Sequence, residues 1–190
     1  MKTFNELRDQ ISIELEKLNW QNEPRGLYEP IAYELSIGGK RVRPVLTMMA
    51  CNLFSDDLKA AVAPALGIEV FHNFTLLHDD IMDRADIRRG LPTVHKKWND
   101  NTAILSGDVM LIVAYQLIAQ TPMPHLKEVL DLFSKTAAEI CEGQQYDVDY
   151  EARKKVEIDE YIEMIRLKTA VLLGCALKTG AIIGNASPAD

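Results

Sequence analysis

Apolar positions recur along this chain every three or four residues, the period of a helix buried on one face. Phe4, Leu7, Ile11, Leu15 and Leu18 predict a first amphipathic helix. A second, short helix is predicted over about 27–36, ending at Gly38-Gly39. Pro44 suits the first turn of a third helix reaching about Phe54. A fourth begins near Leu58 and carries a largely apolar stretch, 60–77, into three aspartates. Residues 84–92 are predicted as a loop, and further helices at about 102–120, 124–150 and 158–183. No strand-like alternation competes, so the predicted fold class is all-α. A length of 190 residues suits one helical domain over 1–190. Gly184-Asn185 then gives a helix stop, and Ser187-Pro188-Ala189-Asp190 a helix start with nothing after it. That pattern suggests a truncated chain; the alternative is a frayed polar tail.

Composition narrows the function classes. The net charge of −7 argues against nonspecific nucleic-acid binding. The cations nevertheless cluster, as Lys40, Arg41 and Arg43 and again as Arg88, Arg89, Lys96 and Lys97, so an anionic substrate stays open. Cys51, Cys141 and Cys175 are scattered without metal-ligand spacing, which predicts reduced thiols and a cytoplasmic setting. The amphipathic, charged N-terminus is no signal peptide. The longest apolar stretch, 169–177, is too short for a membrane span.

The candidate chemistry starts with Asp79, Asp80 and Asp83 at the end of the apolar fourth helix. Carboxylates are seldom buried without a partner. Asp79 and Asp83, four apart, share a helix face and repel unless a cation offsets them. Magnesium is the natural cation, since it takes one or two carboxylates together with substrate phosphates. Arg88-Arg89-Gly90 follows directly, completing what a magnesium-diphosphate clamp would need. His72 lies two turns below the acids on the same stripe, as a core histidine or a ligand. Gly38-Gly39-Lys40-Arg41-Val42-Arg43-Pro44 joins permissive glycines to three cations at a helix start, which suits phosphate but also describes a basic surface turn. Gln144 and Asp147 share a helix face, where Asp147 could hold a metal-bound water or simply be solvated. Lys168-Thr169 precedes an apolar run, so the lysine either snorkels to water or meets a phosphate in a cavity.

Together these residues resemble the trans-isoprenyl diphosphate synthases of the polyprenyl synthetase family. The first aspartate-rich motif is Asp79-Asp80-Ile81-Met82-Asp83 with Arg88-Arg89-Gly90 after it. The glycine-lysine-arginine motif is Gly38 to Pro44, the Glu-x-x-His element Glu69 to His72, the Gly-Gln-x-x-Asp element Gly143 to Asp147, and the Lys-Thr pair Lys168-Thr169. Their order and approximate spacing match along nearly the whole chain. One departure matters: the family's second aspartate-rich motif lies beyond the Lys-Thr pair, and Asp190 is the sole acid after Lys168.

The resemblance implies a helical bundle of the isoprenoid synthase type with its C-terminal helices missing from this chain. It implies a magnesium-dependent prenyltransferase joining isopentenyl diphosphate to an allylic diphosphate (dimethylallyl, geranyl or farnesyl), and a homodimer. By similarity Asp79 and Asp83 are direct metal ligands and Asp80 a supporting one, with Asp147 also at the metal. Arg88 would clamp the allylic diphosphate, and Lys40, Arg43, His72 and Arg89 would hold isopentenyl diphosphate. Lys168, Thr169, Gln144 and Asp147 would surround the leaving diphosphate. Phe74 and Thr75, just before the aspartates, would set product length, and a bulky Phe74 favours farnesyl or geranylgeranyl diphosphate. Three other readings remain. An inactive fragment or a non-catalytic partner subunit is kept open by the missing motif. A type I terpene cyclase would not need Lys40, Arg43 and Arg89. A His-Asp phosphohydrolase would need His72 to converge on His78-Asp79, yet the two imidazoles lie about 120° apart on the helix.

Overall fold

The computed structural model describes every residue except Pro188 and Asp190. The expected helix start at the C-terminus includes both and lies outside the described residues.

The first helix, α1 (Phe4–Glu16), opens with a capping box. The Thr3 hydroxyl accepts from the Glu6 N–H, and the Glu6 carboxylate accepts from the Thr3 N–H. Leu7, Ile11 and Leu15 go into the core, as their spacing requires, while Leu18 lies beyond the helix end. Next come α2 (Arg25–Ser36), α3 (Val42–Phe54) and α4 (Lys59–Met82), all close to the predicted bounds. Pro44 is the third residue of α3, still in the first turn, where its missing N–H costs nothing.

The segment predicted as plain loop contains an antiparallel hairpin, which corrects the expectation of no strands. Strands β1 (Ile87–Arg88) and β2 (Leu91–Pro92) pair Ile87 with Pro92 and Arg88 with Leu91. Arg89 and Gly90 between them take φ of 52° and 82°. Two positive φ values in succession make the hairpin turn whose twist suits the strands. Strands of two residues carry no alternation to detect, and the one-turn helix α5 (Val94–Lys97) escaped prediction for a similar reason.

Helix α6 (Asp100–Ile118) is capped by the Asn99 side chain, which accepts from the Thr102 N–H. Helix α7 (Leu126–Glu151) starts two residues after Pro124. The single helix predicted over 158–183 is interrupted: α8 (Ile158–Ile165) passes into a π-helical turn, Arg166–Ala170, before α9 (Val171–Ile183).

The fold is all-α apart from the hairpin. Helix α4 packs chiefly on α6, and α3 on α9, around one continuous core holding Phe71, Phe133, Ile68, Met48 and Ile11. Helices α4 and α6 are each long and apolar enough to cross a membrane by length and composition. Interspersed polar residues hide this from a reading of uninterrupted runs. In α4 the apolarity serves the core, with 61% of its most apolar stretch buried, against 39% in α6. All three cysteines are free thiols.

Candidate active site

The C-terminal half of α4 contributes to two separate cavities. The first has a volume of about 450 Å³ and is lined by Gly39, Lys40, Arg41, Val42, Arg43, Glu69, His72 and Arg89. Lys40, Arg43, His72 and Arg89, expected to act together, thus come from three segments to one place. The Arg43 Nη1 donates to His72 Nε2 at 3.1 Å, which requires a neutral imidazole. Burial and then Arg43, with Arg89, Arg88 and Arg41 behind it, push the His72 pKa down to about 3. Arg43 Nε is buried with no hydrogen-bond partner. Gly38 and Gly39 have φ of 89° and 147°, and a Cβ at Gly39 would lie 3.0 Å from Arg89 Nη1. Gly39 therefore serves as the place where the Arg89 guanidinium rests.

Two side chains given no individual role in the sequence analysis, Arg41 and Glu69, pair in the wall of this cavity. Arg41, at φ 52°, donates through Nη1 to Glu69 Oε1 at 2.7 Å and through Nη2 to the Leu35 carbonyl at 2.7 Å. Both partners of the ion pair are about nine-tenths buried or more. Glu69 also accepts from the Asn73 amide. An acid standing in the apolar run of α4 was the available signal, since buried carboxylates need a partner. Glu34 of α2 is fully buried, with neither carboxylate oxygen hydrogen-bonded. Burial and then Asp80 raise its pKa to about 7, with Arg88, Arg89 and Arg41 opposing. Its spacing from Pro30 and Ile31 on the buried face of α2 could have flagged it.

The second site is built around Asp79. Lys168 Nζ donates to Asp147 Oδ2 at 2.6 Å and to Asp79 Oδ1 at 3.1 Å. The lysine faces the acids rather than snorkelling away. Burial pulls its pKa down, but the hydrogen bonds to Asp147 and Asp79 outweigh this and leave it raised. Lys168 lies inside the π-helical turn, a feature that recurs at functional sites. Gly143 permits it: a Cβ there would collide with the backbone of Leu167 and Lys168. Thr169, beside the lysine, is exposed.

Asp80 is placed differently from its neighbours. It is 2% exposed and accepts both arms of Arg88, at 2.8 and 2.7 Å, while the same guanidinium lies 3.7 Å from Asp79. Asp80 thus anchors the arginine, and Asp79 and Asp83 are left as the accessible pair. Burial and the Asp79 charge raise the Asp83 pKa, with Lys168 opposing. This crowding of hard oxygen donors fits magnesium. Among the described residues no three or more His, Cys, Asp or Glu side chains form a ready-made metal cluster. Magnesium accepts that, because water and phosphate oxygens complete its shell.

Beside Asp79 opens an apolar pocket of about 200 Å³, lined by Phe74, Thr75, His78, Met82, Ile140, Cys141, Gln144, Gln145 and Val148. Phe74, Thr75 and Gln144 are therefore brought to Asp79, with the Gln144 amide 3.6 Å from Met82 Sδ. Met82 and Val148 line this pocket without any sequence pattern to mark them.

A sequence profile described as "Polyprenyl synthetase" matches residues 24–190. A geranylgeranyl diphosphate synthase of Methanosarcina mazei is 46% identical over 86% of this chain and 51% of its own length. A geranylfarnesyl diphosphate synthase of Natronomonas pharaonis is 40% identical over 85% of this chain and 52% of its own. A crystal structure of a geranylgeranyl pyrophosphate synthase superposes with a TM-score of 0.95 at 52% identity, covering all of this chain and 58% of that one. The chain spans about half the length of the curated relatives it matches. With the motifs in order, a cation-lined cavity and an acid-flanked apolar pocket on one helix, and a match that covers most of its residues, the chain belongs to the polyprenyl synthetase family.

Proposed function

We propose that this chain carries the substrate-binding half of a trans-prenyltransferase that joins isopentenyl diphosphate to an allylic diphosphate, giving a short-chain product. The observation that carries this reading is the pair of cavities sharing α4. Helix α4 lends His72 to a cation-lined cavity, and Phe74, Thr75 and Asp79 to an apolar pocket with acids at its mouth. Two diphosphates and one apolar tail need that arrangement.

Isopentenyl diphosphate sits in the cavity of Lys40, Arg43, His72 and Arg89. Neutral His72 accepts from Arg43 and aims that guanidinium at phosphate oxygens. The allylic diphosphate lies at Asp79 and Asp83, which would hold magnesium, and its tail enters the pocket. Magnesium would supply the charge that stabilises the departing diphosphate. Lys168, Thr169, Gln144 and Arg88 bind that group as the allylic carbon–oxygen bond breaks and the electron pair stays with the diphosphate oxygen. The double bond of isopentenyl diphosphate attacks the cation, and a proton passes to the released diphosphate. Phe74 and Ile140 give the cation an apolar wall on the core side, with Met82 and Val148 exposed at the outer rim. The relatives named geranylgeranyl diphosphate synthase support that product over farnesyl diphosphate. The reduced thiols fit a cytoplasmic protein, and Ile104, Leu105 and Ile112, exposed on α6, suit a homodimer contact.

Half-length coverage favours a second reading, in which the chain binds both substrates without turning them over. A terpene cyclase is disfavoured by the cation-lined cavity, which that chemistry leaves without a use. The test is a coupling assay with radiolabelled isopentenyl diphosphate, geranyl or farnesyl diphosphate and magnesium, beside direct binding of each substrate. Labelled product supports the transferase. Binding of both substrates without product supports the second reading, and binding of neither removes both.

A further inference from the structure

The pocket beside Asp79 is smaller than the roughly 300 Å³ at which ordinary ligand pockets begin. Met82, Cys141, Gln145 and Val148 on its outer rim are exposed, so a prenyl tail is bounded on its inner side, where Phe74, His78 and Ile140 stand. Phe74 was expected there, but a phenyl ring on one helix limits length only if it cannot swing aside.

His78 prevents that swing. It stands one turn after Phe74 on α4, with ring centroids 4.7 Å apart in an edge-to-face contact. Its Nε2–H donates to the carbonyl of Ile104 on α6 at 3.3 Å, which fixes both tautomer and ring. The imidazole lies directly over Gly107, where an added Cβ would collide with it. On its other side Phe74 touches Phe71, which packs on Phe133, at centroid separations of 5.5 and 5.1 Å. Phe74 is thus held from behind by core aromatics and in front by an imidazole tethered to the neighbouring helix. The pocket itself has no lining residue from α6. His78 stands between the pocket and α6, its ring seated on the backbone of Gly107.

We propose that His78 is a positioning residue for chain length: tethered to Ile104 and resting on Gly107, it locks Phe74 across the end of the tail pocket. The proposal rests on the prenyl-diphosphate reading of the site. It makes Gly107 a specificity position as well, since a side chain there would drive the imidazole toward the tail.

The test is binding of geranyl, farnesyl and geranylgeranyl diphosphate to the 190-residue chain with magnesium, with inorganic diphosphate as a tail-free control. His78→Ala should raise the affinity for geranylgeranyl relative to farnesyl diphosphate about 10-fold or more, the scale of added apolar contact in a pocket. His78→Asn, which keeps a donor for Ile104 without a ring against Phe74, should move the ratio the same way and serves if the alanine variant does not fold. Gly107→Ala should move it in the opposite direction, toward geranyl diphosphate. Inorganic diphosphate should bind all of them equally. Opposite shifts are not what general loosening produces. A ratio unchanged in His78→Ala and His78→Asn, or the same direction of change in Gly107→Ala, overturns the proposal while leaving the site reading intact. Failure of the parent chain to bind any of the three prenyl diphosphates removes the site reading and this proposal with it.

Discussion

The cavity around His72 and the cluster around Asp79 sit within two turns of each other on α4, yet they are built on opposite plans. The cavity is an excess of positive charge held in place from behind: Arg41 by Glu69 and Leu35, Arg43 by a neutral histidine, Arg89 against Gly39. It can receive an anion directly. The cluster is an excess of negative charge partly offset by one lysine and by Arg88. It can receive an anion only together with a cation. On the proposed reading, one helix presents two diphosphate sites, of which one should depend on magnesium.

Breaking the supports of the cavity should have the largest effect. Glu69→Ala leaves Arg41 buried and unpaired, which should lower stability by about 3 to 5 kcal/mol in urea unfolding. Asp83→Ala, at the exposed end of the cluster, should change stability by less than about 0.5 kcal/mol.

The pH dependence sharpens the contrast next. The His72 pKa is depressed to about 3 from 6.5, so its contribution is whole above pH 6.5 and is lost as pH falls toward 3. The Glu34 pKa is raised to about 7 from 4.5, so its contribution is whole below pH 4.5 and is lost as pH rises to 7. Each amounts to about 3 kcal/mol between pH 4 and pH 7. The two slopes oppose each other from pH 4.5 to 6.5. Glu34→Gln should therefore uncover stability that rises with pH in that window, and His72→Gln stability that falls. Chemical denaturation at pH 4.5, 5.5 and 6.5 reads both, and identical slopes in the two variants would refute the assignment.

Asp79→Asn should separate the sites functionally. Farnesyl diphosphate binding should weaken at least about 100-fold and lose its magnesium dependence, with isopentenyl diphosphate binding unchanged, by calorimetry with and without the metal. A smaller effect on binding is expected from Gly39→Ala. It strains a positive φ and displaces the Arg89 guanidinium, weakening isopentenyl diphosphate about 10-fold, the worth of one charge-assisted hydrogen bond.

Much of this architecture was legible in one sequence. The 3.6-residue period placed the longer helices to within a few residues, and motif order named side chains that the fold brings together at each cavity. Elements too short for periodicity were missed: the hairpin that carries Arg88, and α5. So was the π-helical turn, because the apolar pattern runs through 158–183 without a visible break, and what packs against it lies on another helix, the bare backbone of Gly143.

What the sequence by itself determined is the all-helical class, the family and the residue types at each site, because these follow from local periodicity and from motifs read in order. What only the tertiary structure decided is who partners whom. Asp80 lies next to Asp79 in the chain, but it is turned inward to anchor Arg88 while Asp79 meets Lys168 from 89 positions away. Adjacent residues on a helix point about 100° apart. Which of them is buried depends on the helix packed against that face, and no local pattern records that.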